Sequence, residues 1–293
     1  LDFELSKLED TEVRIITDRD KSYPGQLKDS PWHPGALFVK GKPEQYNTGV
    51  AIVGSRRATT YGKTMAYELG YDLTKAGIAV ISGGARGIDS AAHRGALDAG
   101  GPTYTVFGCG LNIVYPPENK GLFNAINDNG ALYSEYPLDT PPLSHHFPIR
   151  NRIVAGMCDA VVVVEAGHKS GAILTADFAL EFGRDVFAVP GYSKSEVSKG
   201  TNKLIKQGAF LIEDAEDIFE ILGVETKTNF AARHVLKQKE QEFLLNLEWE
   251  PISIDDIMSK TKLSVAQVSM MLVKLEIIGF VKKDISGCYL RLH

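Results

Sequence analysis

Four short segments combine glycine or a helix start with a cation, the residue types that hold phosphate groups. The first is Gly54-Ser55-Arg56-Arg57-Ala58-Thr59-Thr60-Tyr61-Gly62, which follows the apolar run Val50 to Val53. A strand that passes through a glycine turn into a helix leaves backbone N–H groups converging on one spot. Thr59 or Thr60 can cap that helix, and Arg56 adds charge where an anion would sit. The second is Ser82-Gly83-Gly84-Ala85-Arg86-Gly87-Ile88-Asp89, with three glycines in five residues. That is more than one tight turn needs, and it lets a ligand or another backbone come close to Arg86. In the third, His145 to Arg152, Pro148 fits the first helical position and puts Arg150, Asn151 and Arg152 in the first turn. Cations there oppose the helix macrodipole unless an anion lies between them and the free N–H groups. The fourth follows Glu165 and carries Lys169 with Ser170 as the expected helix cap. None is a dinucleotide fingerprint or a Walker loop. Each has an ordinary alternative: a solvated turn, loops packed on one another, or arginines paired with carboxylates of the same domain. Together they point to a platform for phosphates or a polyanion.

Along the chain, short apolar runs alternate with segments of helical period. Strands are expected at Val50–Val53, Ile78–Ile81, Thr103–Phe107, Leu132–Ser134, Ala160–Val164, Val186–Val189 and Phe210–Ile212. Helices are expected at Tyr61–Lys75, Ile88–Asp98, Ile149–Met157, Ala172–Phe182 and Ala215–Leu222. Continuously apolar strands alternating with helices predict an α/β fold with a mostly parallel sheet covered on both faces. Ligands of such sheets bind at the carboxyl ends of the strands, where the four loops fall. Residues 1–46 read as a proline-broken lead-in packed on the main domain, with at most short elements such as Ala36 to Lys40; residues 47–224 read as that domain and 225–233 as a linker. Residues 234–293 have a different pattern. Helices at about Val235–Asn246, Ile254–Ser259 and Val265–Ile277, then a hairpin, predict a small winged helix.

The bulk properties limit the partners. The formal net charge is −5, so any nucleic-acid site must rest on local clustering of cations rather than on a diffuse positive field. No apolar run approaches the roughly 20 residues that span a bilayer, and LDFELSKLED lacks the pattern of a secretory signal, so no membrane role is expected. Cys109, Cys158 and Cys288 form no CxxC pair, which argues against a disulfide framework or a zinc site and makes a reducing cytoplasm the natural compartment. His145 and His146 lack a third ligand at metal spacing, and His93 reads as a helix-face histidine. No metal and no cofactor are expected.

In their order, GSRRATTYG, SGGARGIDSAAHRGAL, YPPEN, SEYP, FPIRNRIVAG, VVVVEAGHKSGAILTA, VFAVPG and GTNKLIKQGA resemble the motif set of the DNA-processing protein A (DprA/Smf) family over roughly residues 20–222. The resemblance implies an extended Rossmann-like fold, a C-terminal winged helix, dimers, and cooperative binding of single-stranded DNA without catalysis. It also implies protection of incoming DNA and its delivery to the recombinase RecA in natural transformation and recombination. Carried over by position, the DNA-binding residues would be Gly54, Ser55, Arg56, Gly83, Gly84, Arg86, Phe147, Arg150, Asn151, Arg152, Lys169 and Ser170. Lys169 stands where many relatives would have Arg, keeping the charge but losing the bidentate fork. Phe147 is the candidate for stacking on a base. Leu204, Ile205 and Leu211 would lie at the dimer contact.

Two other functions compete. A nucleotide-hydrolysing enzyme of similar fold would need a catalytic carboxylate. Glu135 and Glu165, both at strand ends, are the candidates, but the Pro-Gly-Gly-x-Gly-Thr loop of such enzymes is missing. A duplex-DNA regulator would use the helix from Leu263 to Ile277. Its expected exposed residues, Ser264, Gln267, Ser269 and Lys274, include one cation, fewer than base-reading helices usually carry.

Overall fold

The computed structural model describes residue 8 and residues 11–224, 242–247, 251–277, 280–284 and 287–291. The chain forms two compact units, residues 1–228 and 229–293. The region expected as a linker lies outside the described residues, as does the first part of the helix expected at Val235–Asn246.

The first unit is built on a nine-stranded sheet. Its strands are β1 (Val13–Thr17), β2 (Ala36–Gly41), β3 (Gly49–Val53), β4 (Ala79–Ser82), β5 (Thr103–Phe107), β6 (Ala131–Ser134), β7 (Ala160–Val163), β8 (Asp185–Ala188) and β9 (Phe210–Leu211). Their order is β1-β2-β6-β5-β4-β3-β7-β8-β9. All pairs from β6 to β9 are parallel, whereas β1–β2 and β2–β6 are antiparallel. The mostly parallel α/β sheet expected from the sequence is therefore present. The lead-in contributes its antiparallel edge, with β2 at the short element expected from Ala36 to Lys40 and β1 not expected.

Every residue of β3, β4, β5, β6 and β7 is buried, the condition of strands covered on both faces. Alternate side chains serve one face: Ala51, Val53, Val161 and Val163 share a core with Ile153, Val154, Ala172 and Ala176 of the helices His146–Gly156 and Gly171–Glu181. The helices Thr60–Lys75 and Ile88–Asp98 pack on each other and on β3 and β4. Three α-helices among the described residues are absent from the expected set, one of them the four-residue Gly25–Lys28. Lys120–Asn129 is rich in Asn and Gly, poor helix formers, and is held by Leu122, Phe123 and Ile126 buried on one side. Lys199–Lys206 is only eight residues long and supplies the helix face that the apolar spacing of Gly200 to Ile212 suggests ahead of its edge strand.

From β3 the sheet grows one way through β4, β5 and β6 and the other way through β7, β8 and β9. The loops leaving β3 and β7 therefore diverge at neighbouring strand ends. This is the switch point at which open parallel sheets form a crevice.

The second unit contains the helices Ile254–Thr261 and Val265–Ile277 and a hairpin of β10 (Val281–Lys283) and β11 (Tyr289–Arg291). Ile252 adds a bridge to Tyr289, with paired N–H···O bonds of 2.9 and 2.8 Å. Phe243, Leu247, Ile257, Val268, Leu272, Leu275, Val281 and Tyr289 form its core.

His93 lies on the helix Ile88–Asp98, on its buried face. Its Nδ1 lies 2.7 Å from the Thr103 hydroxyl, which itself donates to the Val80 carbonyl, so Nδ1 carries the proton and donates to Thr103. Burial, with the nearby Arg150 charge, lowers its pKa to about 3. The unfolded chain takes up this proton below about pH 6.5 and the folded chain does not, so His93 makes stability fall as pH drops from about 6.5 toward 3, by about 1.4 kcal/mol per pH unit. Urea unfolding between pH 7 and 5 should show a steeper loss for the parent than for His93→Gln, by about one proton. Equal slopes would mean that His93 is not held neutral.

Candidate nucleic-acid interface

Against the switch point the loops enclose a cleft of about 520 Å³. Seven of the residues singled out from the sequence line it: Gly54, Arg56, Gly83, Phe147, Arg150, Asn151 and Ser170. Ser55, Gly84, Arg86, Arg152 and Lys169 are not among its lining residues. The lining also includes Asp89, Tyr115, Ser144 and Thr175, which sequence reasoning missed. Tyr115 begins the YPPEN stretch, whose role was not legible from spacing.

The arginines play three different parts. The helix carrying Arg150 begins at His146, two residues before the start inferred from Pro148, so Arg150 lies beyond the first turn. It is 4% exposed, and its Nη1 donates to the carbonyls of Gly83 (2.6 Å) and Val106. These two carbonyls belong to the loop after β4 and to β5, so one guanidinium ties adjacent strand ends together. Burial pushes its pKa down to about 10, against the opposing pull of Asp89. Asp89 is buried too and accepts the Ala85 amide at 3.2 Å. Burial raises its pKa while Arg150 and the Ala85 bond hold it down. A phosphate between the helix N-terminus and Arg150 is thus not what makes this cation tolerable; strand-end carbonyls and Asp89 do so.

Arg152 is paired with Glu135 at 2.5 Å, so this cation is met by a carboxylate of its own domain. Arg86 is exposed and paired with Glu118. Arg56 differs from these: it is exposed, has no carboxylate partner among the described residues, and its guanidinium lies 5.2 Å over the Phe147 ring. That geometry is a cation–π contact, which orients the charge without neutralising it. Phe147 is half-buried and meets Tyr115 at 5.4 Å between ring centroids.

The glycines prove to serve the loops' own packing. A Cβ on Gly83 would come within 2.5 Å of the Arg150 guanidinium. Gly87 has φ +79°, and a Cβ there would lie 2.2 Å from the Ser55 carbonyl. The Ser55 amide donates to the Glu165 carbonyl at 2.7 Å, and Asn119 donates to the Gly84 carbonyl at 2.9 Å. The loops are therefore cross-tied before any ligand arrives. On the far wall the Ser170 hydroxyl caps the helix Gly171–Glu181 by accepting the Ala172 amide, and Asn151 donates to the Gly171 carbonyl at 3.0 Å. Gly171, Ala172 and Thr175 bring the positive end of that helix to the cleft. Lys169 is exposed outside it.

Both candidate catalytic carboxylates already have partners. Buried Glu165 accepts the Thr59 amide at 2.9 Å and the Thr59 hydroxyl at 2.6 Å, while Glu135 holds Arg152. In the second unit, Ser264, Gln267 and Lys274 are exposed as expected, whereas Ser269 is half-buried. Much of the remaining exposed surface of that helix is apolar, with Met270 at 72% and Val273 at 51%.

The first unit is thus an open, mostly parallel α/β sheet whose switch-point cleft offers a helix N-terminus and an oriented arginine. The model of the family described as DNA recombination-mediator protein A matches residues 14–223, and that of the DprA winged helix domain matches residues 231–284. The chain belongs to the DprA/Smf family. It is 37% identical to Protein Smf of Escherichia coli (strain K12), over 98% of this chain and 79% of that protein. The X-ray structure of DprA from Streptococcus pneumoniae superposes with a TM-score of 0.69 at 37% identity, covering 77% of this chain and 79% of that one. A DprA structure from Helicobacter pylori, described for its single-stranded DNA binding mode, gives 0.65 at 30% identity over 72% and 95%.

Removing Arg150 strands the Asp89 carboxylate and two carbonyls in the interior. Arg150→Ala should cost about 3–5 kcal/mol in urea unfolding, whereas Arg56→Ala should stay within about 0.5 kcal/mol of the parent. Equal, small effects would show that Arg150 is not a structural tie.

Proposed function

We propose that this chain binds single-stranded DNA in the switch-point cleft, without chemistry on the strand. The carrying observation is Arg56, exposed, in no ion pair among the described residues and poised on the half-buried Phe147 ring. Arg56 and the N-terminus of Gly171–Glu181 line the same cleft and would together take a phosphate, and Phe147 with Tyr115 would take a base. Stacking of this kind tolerates any base, which suits a strand bound without regard to sequence. The likeness to the Helicobacter pylori DprA, a protein described as binding single-stranded DNA, supports the reading. The satisfied state of Glu135 and Glu165 supports the absence of catalysis. Family membership supports a role as recombination mediator, with protection of incoming DNA and delivery to RecA in the reducing cytoplasm during transformation.

The reading extends to a homodimer, with one correction. Leu204 is 4% exposed and belongs to the core of its own unit, so it cannot reach a partner. Ile205 is half-buried against that core. The edge strand β9 instead exposes Phe210 (42%) and Leu211 (49%) at the end of the sheet. Two such edges can pair about a two-fold axis, where each substitution acts twice.

Binding to single-stranded oligonucleotides should weaken with salt by about 0.7 log unit per log unit of salt for each phosphate held, and duplex should bind less tightly. Arg56→Ala should lower both affinity and slope. Phe147→Ala should weaken binding roughly tenfold with little change in melting temperature. Variants that bind like the parent would dismiss the cleft. Leu211→Arg should give a folded monomer by light scattering; a parent already monomeric at micromolar concentration would remove the dimer.

A further inference from the structure

A second groove, of about 450 Å³, lies beside the cleft on the outer side of the Arg86 loop. Its cations come from three places. Lys63 lies on the helix Thr60–Lys75, Arg94 on the helix Ile88–Asp98, and Arg86 in the loop between β4 and that second helix. Tyr67, one helical turn from Lys63, adds an aromatic surface. Glu118 is the groove's carboxylate and is already held by Arg86. Lys63 and Arg94 are exposed and have no carboxylate partner among the described residues. The lining thus sets three cations against one acid. The cleft sets Arg56 and Arg150 against Asp89, and there Arg150 is spent on carbonyls. In a chain of net charge −5, the groove is the more cationic of the two.

The two sites are joined. A small cavity is lined by Arg56, Phe147 and Arg150 of the cleft together with Arg86 of the groove. Arg86 therefore stands at the boundary of both. A compact anion would be served by the cleft alone. A polyanion leaving it past Arg56 and Phe147 meets Arg86 next, then Lys63 and Arg94.

We propose that this groove is a second segment of the single-strand path, in which Lys63 and Arg94 hold backbone phosphates beyond the cleft. The inference rests on the reading of the cleft as a single-strand site. It makes affinity depend on strand length: a short strand occupies the cleft, and a longer one adds the contacts of the groove. Both cations are exposed on their helices, so neutral replacements should leave the fold intact.

The test compares the parent with Lys63→Glu/Arg94→Glu and the milder Lys63→Gln/Arg94→Gln on oligothymidylates of about 6 and about 20 nucleotides, within and beyond the span of one small binding fold. With the long strand, the Gln pair should lower the salt slope by about 1.4, the contribution of two phosphates, and weaken binding on the order of tenfold. Affinity for the short strand should stay within about twofold of the parent for the Gln pair. Lys63→Arg/Arg94→Lys should restore long-strand binding. Parental binding of the long strand by the Gln pair overturns the proposal. Equal loss on both lengths also overturns it, because the cations would then act through the general field. Failure of the parent itself to bind either strand, or binding indifferent to Arg56→Ala, would instead strike the cleft reading.

Discussion

The buried guanidinium of Arg150 is the constraint on which the site depends. Parallel strands end with carbonyls that no neighbour satisfies, and here those of Gly83 and Val106 are met by one side chain from the helix before β7. A buried charge without compensation costs several kcal/mol, so Asp89 must lie close by, and Gly83 must lack a Cβ for the guanidinium to fit. These three residues fix the relative positions of the loop after β4, the end of β5 and the helix His146–Gly156. The cleft is the space left between that tie and the helix Gly171–Glu181.

Once the loops are locked from beneath, the surface above them needs little to recognise an anion. Ser170 and Asn151 hold the helix start in place, and Arg56 rests on Phe147. Such preorganisation reduces the ordering cost of binding, because the charge and the ring are already oriented. It also explains how an acidic chain can present a positive site. Arg86 and Arg152 are occupied by Glu118 and Glu135, so of the arginines singled out around the cleft it is Arg56 that stays exposed without an ion pair among the described residues.

The ends of the sheet follow a different rule. At one end, β1 and β2 extend it with antiparallel pairing. At the other, the two-residue strand β9 leaves its edge and the side chains of Phe210 and Leu211 exposed. A short edge limits unwanted pairing while leaving room for a specific partner.

Much of the fold was legible because local pattern and burial agree: the apolar runs became β3 to β8, and Ile88–Asp98, Thr103–Phe107 and Ala215–Leu222 fall at the residues expected. Motif order was enough to place the chain in its family. The helix Lys120–Asn129 was not legible, since tertiary burial of three side chains overrides its poor propensity. The site divides in the same way. The sequence by itself determined that glycine loops and cations gather at the carboxyl edge of a parallel sheet. Only the tertiary structure decided that Arg150 faces inward, that Arg152 and Arg86 are paired, that Leu204 is core, and that Arg56 is left exposed. Those outcomes depend on which carboxylate or carbonyl lies within hydrogen-bond reach after folding. Between Arg150 and Gly83 that contact joins residues 67 positions apart, a distance that spacing along the chain does not encode.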